Sequence, residues 1–443
     1  MNVVKTNWKE KIFYGFGDMG SYLCWNLIGS FLTVYLTDCV KLSAANIAIM
    51  GTVILVCRVF DGLSDLLMGF LIEKTHSKLG KARPWFGASI LPLCLIFFLL
   101  FCVPHMGETA IVVYVSVLYF LFSVVIYTAN KLAFSALLPR ISNDAVDQTI
   151  ISAVDTVCTG VGTLAAAVAI PLLNAFGGKD LQGSWVKLII PLAILAAVVQ
   201  ALCFIFVKEK PEIVTVGTDE KQKGDIARGL KALLKTKYFY IAIVLFLITY
   251  VYTITSNSMG VYYAENVLGN DNFYTLLTML PMVTMGIGVV LAPIMVKKLG
   301  KRTTLVIASA FVAGGHLLGG IFAYSVTGAI VAVVLKGLGS ATVMCQLYTL
   351  APDVVLYIEQ QEGLRIEGLA ASANSVGSKI GSGLGSALVM WALAFGEYNA
   401  DALEQSGKMI STINAVYWWI PAIITAVTIV LAAMWDIDKK LKQ

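Results

Sequence analysis

The sequence predicts an all-α membrane protein of twelve transmembrane helices in two six-helix bundles. Three observations carry this expectation. First, the chain of 443 residues is 58% hydrophobic and only 13% charged, where a soluble domain carries about 25% charged residues; its mean hydropathy is +0.81. Second, apolar runs long enough to cross a bilayer, roughly 20 residues each, recur twelve times, at 12–37, 45–73, 85–104, 109–137, 147–177, 186–207, 238–266, 273–296, 303–323, 328–352, 366–396 and 410–434. Third, the longest polar interruption, 208–237, falls between the sixth and seventh runs. It divides the chain into an N-terminal bundle (1–207), a linker (208–237) and a C-terminal bundle (238–443).

The basic residues orient these spans. Lys5, Lys9 and Lys11, Lys74 to Arg83, Lys208 to Lys237, Lys297 to Arg302 and Lys439 to Lys442 mark alternate helix ends, and the opposite loops hold only Lys41, Lys179, Lys187 and Lys408. The positive-inside rule then places both termini in the cytoplasm. The net charge of +5 is thus a topology signal and not a nucleic-acid one. The first run is too long for a cleavable signal and lacks a small-residue cleavage site. The eight cysteines show no metal spacing, and no nucleophile, phosphate or metal motif points to an enzyme. Gly224 to Leu234 reads as a short amphipathic helix on the membrane surface.

The halves echo each other. LGKARPW (79–85) follows span two and LGKRTTL (299–305) follows span eight; YLTDCVKLS (35–43) and YYAENVLGN (262–270) end spans one and seven. Internal repeats of this kind are typical of transporters with paired bundles, and no filter-like loop suggests a channel. The glycines of GSKIGSGLGSA (377–387) allow close helix packing.

The function-bearing residues are the charges inside the spans, which are costly unless they face a partner or a wet cavity. Arg58, Asp61 and Asp65 recur at i, i+3 and i+7 on one face of span two. With Ser64 and Thr128 the two carboxylates offer hard oxygen ligands for Na⁺ or Li⁺, or one of them carries a proton. Arg58 either neutralises them or takes part in transport. Asp18, Lys131, Asp155, Lys336 and Lys379 complete the set. Lys131 and Asp155 fall at one depth and read as an ion pair between spans four and five, Lys336 as snorkelling to the outer surface, and Asp18, among Gly15, Gly17 and Gly20, as a packing, gating or substrate-contact residue. Tyr22, Trp25 and Asn26 after Asp18, Tyr127 before Lys131, and Asn374 before Lys379 add hydrogen-bonding and aromatic groups of the kind that suit a sugar.

The stretches YGFGDMG (14–20), YLTD (35–38), RVFDGLSDLLMG (58–69), KLGKARPW (78–85) and APDVVLYIEQQEGLRIEGLAASANSVGSK (351–379) resemble the glycoside–pentoside–hexuronide:cation symporters, the branch of the major facilitator superfamily that includes the melibiose carrier. The resemblance implies the major facilitator fold, no cofactor, and symport of a sugar with Na⁺, Li⁺ or H⁺ by alternating access. It implies cation ligands at Asp61, Asp65 and Thr128, with Ser64 where the family commonly has asparagine, and a lysine at 379 linking cation and sugar sites. The sugar face departs from the family pattern. Tyr22 and Lys131 stand where the melibiose carrier has aspartates, Asp155 where it has an arginine, and Ser135 where it has a stacking tryptophan. The pair between spans four and five is reversed in sign, which preserves neutrality, and a lysine turned toward the cavity raises the expectation of an acidic sugar. The expected partners are a small sugar and membrane lipid, with no nucleic acid and a functional monomer. Carriage of a lysolipid or other amphiphile, known in the same superfamily branch, is the alternative.

Overall fold

The computed structural model describes residues 4–210, 231–362 and 367–437. The predicted amphipathic segment 224–234 lies outside them except for 231–234, which are helical, and residues 363–366 of the long 351–379 motif also lie outside. The described residues contain helices and turns and no strand, as a chain that must satisfy its backbone inside lipid requires. They divide into two compact units, Met1–Gly217 and Thr218–Gln443.

In the first unit the helices are α1 (Trp8–Val34), α2 (Ala44–Lys74), α3 (Arg83–Leu100), α4 (Glu108–Phe120), α5 (Thr128–Ile141), α6 (Ala145–Ala167), α7 (Ala169–Phe176) and α8 (Gln182–Phe206). A π-helical turn, Tyr35–Cys39, extends α1, and another, Leu121–Tyr127, joins α4 to α5 into one rod. In the second unit they are α9 (Lys237–Asn266), α10 (Phe273–Leu299), α11 (Lys301–Ile321), α12 (Val326–Glu362), α13 (Glu367–Phe395), α14 (Gly407–Asn414) and α15 (Ile420–Ala433), the last two joined by the π turn Ala415–Trp419. Counted as rods, the described residues form the twelve expected crossings. Eleven of them are long and apolar enough to span a membrane by length and composition alone; the other, α1, contains Lys9, Glu10, Lys11 and Asp18 within its 27 residues.

Local chemistry sets the helix starts. Asn7 and Glu10 form a reciprocal capping box at α1, each side chain accepting the other's backbone N–H at 2.8 Å. Asp144 caps α6 by accepting from the N–H of Asp147 at 2.9 Å. Close approach sets the packing. A Cβ at Gly20 would lie 2.7 Å from the carbonyl oxygen of Ala196, and one at Gly17 would lie 2.7 Å from Cys203 Sγ, so α1 runs directly against α8. In the second unit Gly377 and Gly385 do the same for α13, bringing it onto the carbonyls of Ile243 and Val251 on α9.

One end of the first unit is fastened by charge. Lys11 is bonded to Asp147, whose other oxygen accepts from the backbone and hydroxyl of Thr6, both at 2.8 Å. Glu209, just past α8, accepts from the backbone N–H groups of Lys81, Ala82 and Arg83 at 3.1, 2.7 and 3.0 Å, and Arg140 bridges to Glu73 at 2.6 Å. The repeat noted in the sequence has a structural counterpart. Gly80 and Gly300 both take positive φ, +107° and +80°, where a side chain is strained. Each leads into a helix start held by an acid, Glu209 before Arg83 in one unit and Asp353, which binds Lys301 at 2.6 Å, in the other.

Candidate functional site

Two polar clusters lie inside the first unit at successive depths. Asp18 is ten residues from Trp8, Asp155 ten from Ala145 and Lys131 ten from Ile141, all reckoned from the same end; at about 1.5 Å per residue this is one level, about 15 Å in. Asp61 is thirteen residues from Lys74 and Thr128 thirteen from Ile141, a second level about 5 Å deeper.

The deeper cluster is built of oxygens. Thr128 Oγ1 lies 2.8 Å from Asp61 Oδ1 and 3.1 Å from the carbonyl of Ser123, and Ser64 Oγ lies 3.2 Å from Thr128 Oγ1 and 3.0 Å from the Asp61 carbonyl. The π turn before Thr128 explains the Ser123 contact, because it leaves a carbonyl five residues back within the hydroxyl's reach. Asp61 is buried, and Asp65, half-buried, lies one turn further along α2. The donor set of carboxylate and hydroxyl oxygens fits a hard monovalent cation. Among the described residues no group of three His, Cys, Asp or Glu side chains forms a transition-metal cage.

Arg58 borders this cluster. Its Nη1 is 3.7 Å from Asp61 Oδ2, an ion pair longer than a hydrogen bond, and its Nε and Nη1 have no hydrogen-bond partner although the residue is 5% exposed. Its guanidinium carbon sits 3.8 Å from the centre of the Trp25 ring. Trp25 in turn stacks on Tyr127 at 4.2 Å with 20° between planes. Cation–π contact replaces part of the missing hydrogen bonding.

The shallower cluster corrects the sequence reading. Lys131 does not pair with Asp155. Its ammonium is bonded to both carboxylate oxygens of Asp18, 2.6 Å from Oδ2, and Ser21 Oγ lies 3.2 Å from Asp18 Oδ1. Sequence depth placed Lys131 and Asp155 together correctly, but it does not give the angle about each helix. The glycines of α1 bring Asp18 inside the bundle and nearer to Lys131. Among the described residues none forms an ion pair or hydrogen bond with Asp155, which is half-buried with its Oδ1 buried and without a partner. Tyr22 and Asn26 are half-buried on α1 and Ser135 is exposed on α5.

Asn374 and Lys379 lie on α13 in the second unit, both half-buried, with Asn374 Oδ1 lacking a partner. Lys336 does not snorkel. It is 7% exposed, donates to Ser256 Oγ at 3.1 Å, and lies 5.6 and 5.9 Å from the rings of Tyr417 and Trp418. Sequence reasoning missed the clamp of Glu209, Arg140 and Glu73, because its acids and bases are far apart in the chain and read singly as loop charges.

The family model described as "MFS/sugar transport protein" matches residues 13–439. The chain is 27% identical to an isoprimeverose transporter of Lactiplantibacillus pentosus, over 98% of this chain and 89% of that one. It is 26% identical to the inner membrane symporter YicJ of Escherichia coli K12, over 96% and 90%. Among solved structures it is similar to a D-xylose–proton symporter, with a TM-score of 0.69, 13% identity and 97% of each chain covered.

Proposed function

Because the chain belongs to the MFS/sugar transport protein family, we propose that it is a cation-coupled sugar symporter working by alternating access. In this reading Na⁺, Li⁺ or H⁺ binds at Asp61 with Ser64, Thr128 and Asp65, and a sugar is held by the polar groups of Asp18, Tyr22, Trp25, Asn26, Tyr127, Lys131, Ser135 and Asp155. The observation that carries it is the oxygen cluster of Asp61, Ser64 and Thr128, buried inside a span and about one helical turn from a second charged cluster. Buried carboxylates without such a use are a cost to the fold.

Coupling follows from charge. A cation at Asp61 relieves the repulsion between Asp61 and Asp65 and frees Arg58, whose hold on Asp61 at 3.7 Å is already loose. That relief favours sugar binding at the adjacent level, and by linkage sugar favours the cation to the same extent.

The acidic-sugar expectation loses its basis, since the ammonium of Lys131 is neutralised by Asp18 and a further acid, Asp155, stands nearby. With two acids and one base, this level favours a neutral glycoside. The relative named an isoprimeverose transporter supports a glycoside of that kind. The chain would sit in a bacterial inner membrane with both termini cytoplasmic and act as a monomer.

The test is uptake into proteoliposomes of a panel of neutral and acidic glycosides, isoprimeverose included, under imposed Na⁺, Li⁺ or H⁺ gradients. Accumulation should follow one cation. Asp65→Cys should abolish cation-driven accumulation while sparing downhill exchange; unchanged uphill uptake in that variant would sink the cation-site assignment.

A further inference from the structure

We propose that Asn130, held by Ser89 and Gln200, is a positioning residue: it fixes the rotation of α5 about its own axis and so keeps the Thr128 hydroxyl on Asp61. The inference rests on the symport reading for the cation that the Asp61 cluster takes; the anchoring of α5 follows from the hydrogen bonds alone.

Asn130 is fully buried, and both hydrogens of its amide are engaged. Nδ2 donates to Ser89 Oγ on α3 at 2.9 Å and to Gln200 Oε1 on α8 at 2.8 Å. Each acceptor is itself oriented. Ser89 gives its one hydrogen to the carbonyl of Phe86 at 2.8 Å, so toward Asn130 it can only accept. Gln200 donates through Nε2 to the carbonyl of Ala196 at 3.3 Å, which turns Oε1 the other way. Gly20 of α1 backs Gln200 so closely that a Cβ there would stand 2.8 Å from Gln200 Cγ. The amide of Asn130 is thus fixed in direction by two helices and, through Gln200, pressed by a third.

At about 100° per residue, Asn130 stands about 200° around α5 from Thr128, while Lys131 stands only about 60° from it. The helix therefore presents Thr128 and Lys131 on one face and is anchored on the opposite one. The rest of the anchored face is apolar, with Ala133, Phe134 and Leu137 all buried, and the hydroxyl of Tyr14 reaches the Phe134 carbonyl only at 3.4 Å. Apolar contact is non-directional and does not by itself set an angle. A satisfied polar network does. The amide also carries a cost that an apolar residue would avoid, because Asn130 Oδ1 is buried without a partner among the described residues.

The test compares two truncations of the same face, Asn130→Ala and Leu137→Ala, in a cation titration of uptake, with thermal unfolding and amide exchange of the purified proteins alongside. Both should lower the melting temperature and speed exchange along Thr128–Ile141. Asn130→Ala alone should raise the half-saturating cation concentration, by about three- to tenfold, the loss expected of Thr128→Val itself. In a Thr128→Val background Asn130→Ala should add nothing further, since it acts through that hydroxyl. Exchanging the two amides, Asn130→Gln with Gln200→Asn, keeps their summed length and should recover cation affinity that either single change lowers. An unchanged half-saturation in Asn130→Ala overturns the proposal, as does an equal rise in Leu137→Ala or a full further rise in the Thr128→Val background. If exchange along α5 responds to Asn130→Ala as expected while the wild-type protein accumulates no glycoside under any cation gradient, the anchoring stands and the symport reading fails.

Discussion

Removing Lys131 should harm the protein more than removing Asp18, although the two form one ion pair. The pair's separation of 2.6 Å corresponds to a Coulomb attraction of about 6 kcal/mol at an effective dielectric constant of 20. Desolvation offsets much of this, and breaking a buried pair from one side costs about 3–5 kcal/mol. Because the Lys131 side chain is 36% exposed, water compensates in part, and about 2–4 kcal/mol is the expected cost of Lys131→Met. Asp18→Asn leaves the ammonium with a second acid, Asp155, close by, and the amide can still accept a hydrogen bond; about 1–2 kcal/mol is expected. The double variant restores the balance that Lys131→Met upsets and should be more stable than Lys131→Met alone. Chaotrope or thermal unfolding of the four proteins in one detergent measures the cycle, whose coupling energy should be about 1–3 kcal/mol. If Asp18→Asn costs as much as Lys131→Met, or the two effects add, the reasoning fails.

Four further outcomes can be checked. Ser64→Ala and Thr128→Val each remove one hydroxyl from the Asp61 cluster and should raise the half-saturating cation concentration about three- to tenfold, the worth of one hydrogen bond, in a cation titration of uptake; unchanged titrations would exclude these hydroxyls. Gly20→Ala places a methyl 2.7 Å from the Ala196 carbonyl oxygen, so α1 and α8 must part, at a cost of about 1–3 kcal/mol seen as a lower melting temperature. Glu209→Gln weakens the grip on three backbone N–H groups and should speed amide exchange at Lys81 to Arg83 without altering exchange in α13. Asp144 accepts from the Asp147 N–H and pairs with Lys5, in that order of effect, which holds its carboxyl below the usual aspartate value. Its contribution to stability is then present above the ordinary value near pH 4 and lost as pH falls through the lower folded value, so Asp144→Ala should flatten the acid limb of the stability curve.

The crossings were legible because lipid imposes length and apolarity on every helix, and the loop motif after span two was legible because its glycine and charges recur after span eight. The nearness of Arg58 to Asp61 was legible from spacing alone, since the two lie three residues apart on one helix. What the sequence could not supply was rotation between helices. Lys131 and Asp155 share a depth, yet the α1 glycines bring Asp18 within the lysine's reach instead. Lys336 alone reads as a snorkelling lysine, but Ser256 and the adjacent pair Tyr417 and Trp418 come from two distant parts of the chain to enclose it.

The π turn at Leu121–Tyr127 gives the Asp61 cluster a residue-count dependence. A π turn holds one residue more than the α turn it replaces, and one residue of α-helix is a rotation of about 100°. Were that extra residue to migrate past Thr128, the hydroxyl would swing to another side of its helix while the rod's ends stayed where they are. The oxygen cluster could then be taken apart by a local change of winding, with neither a hinge nor a tilt of the bundle.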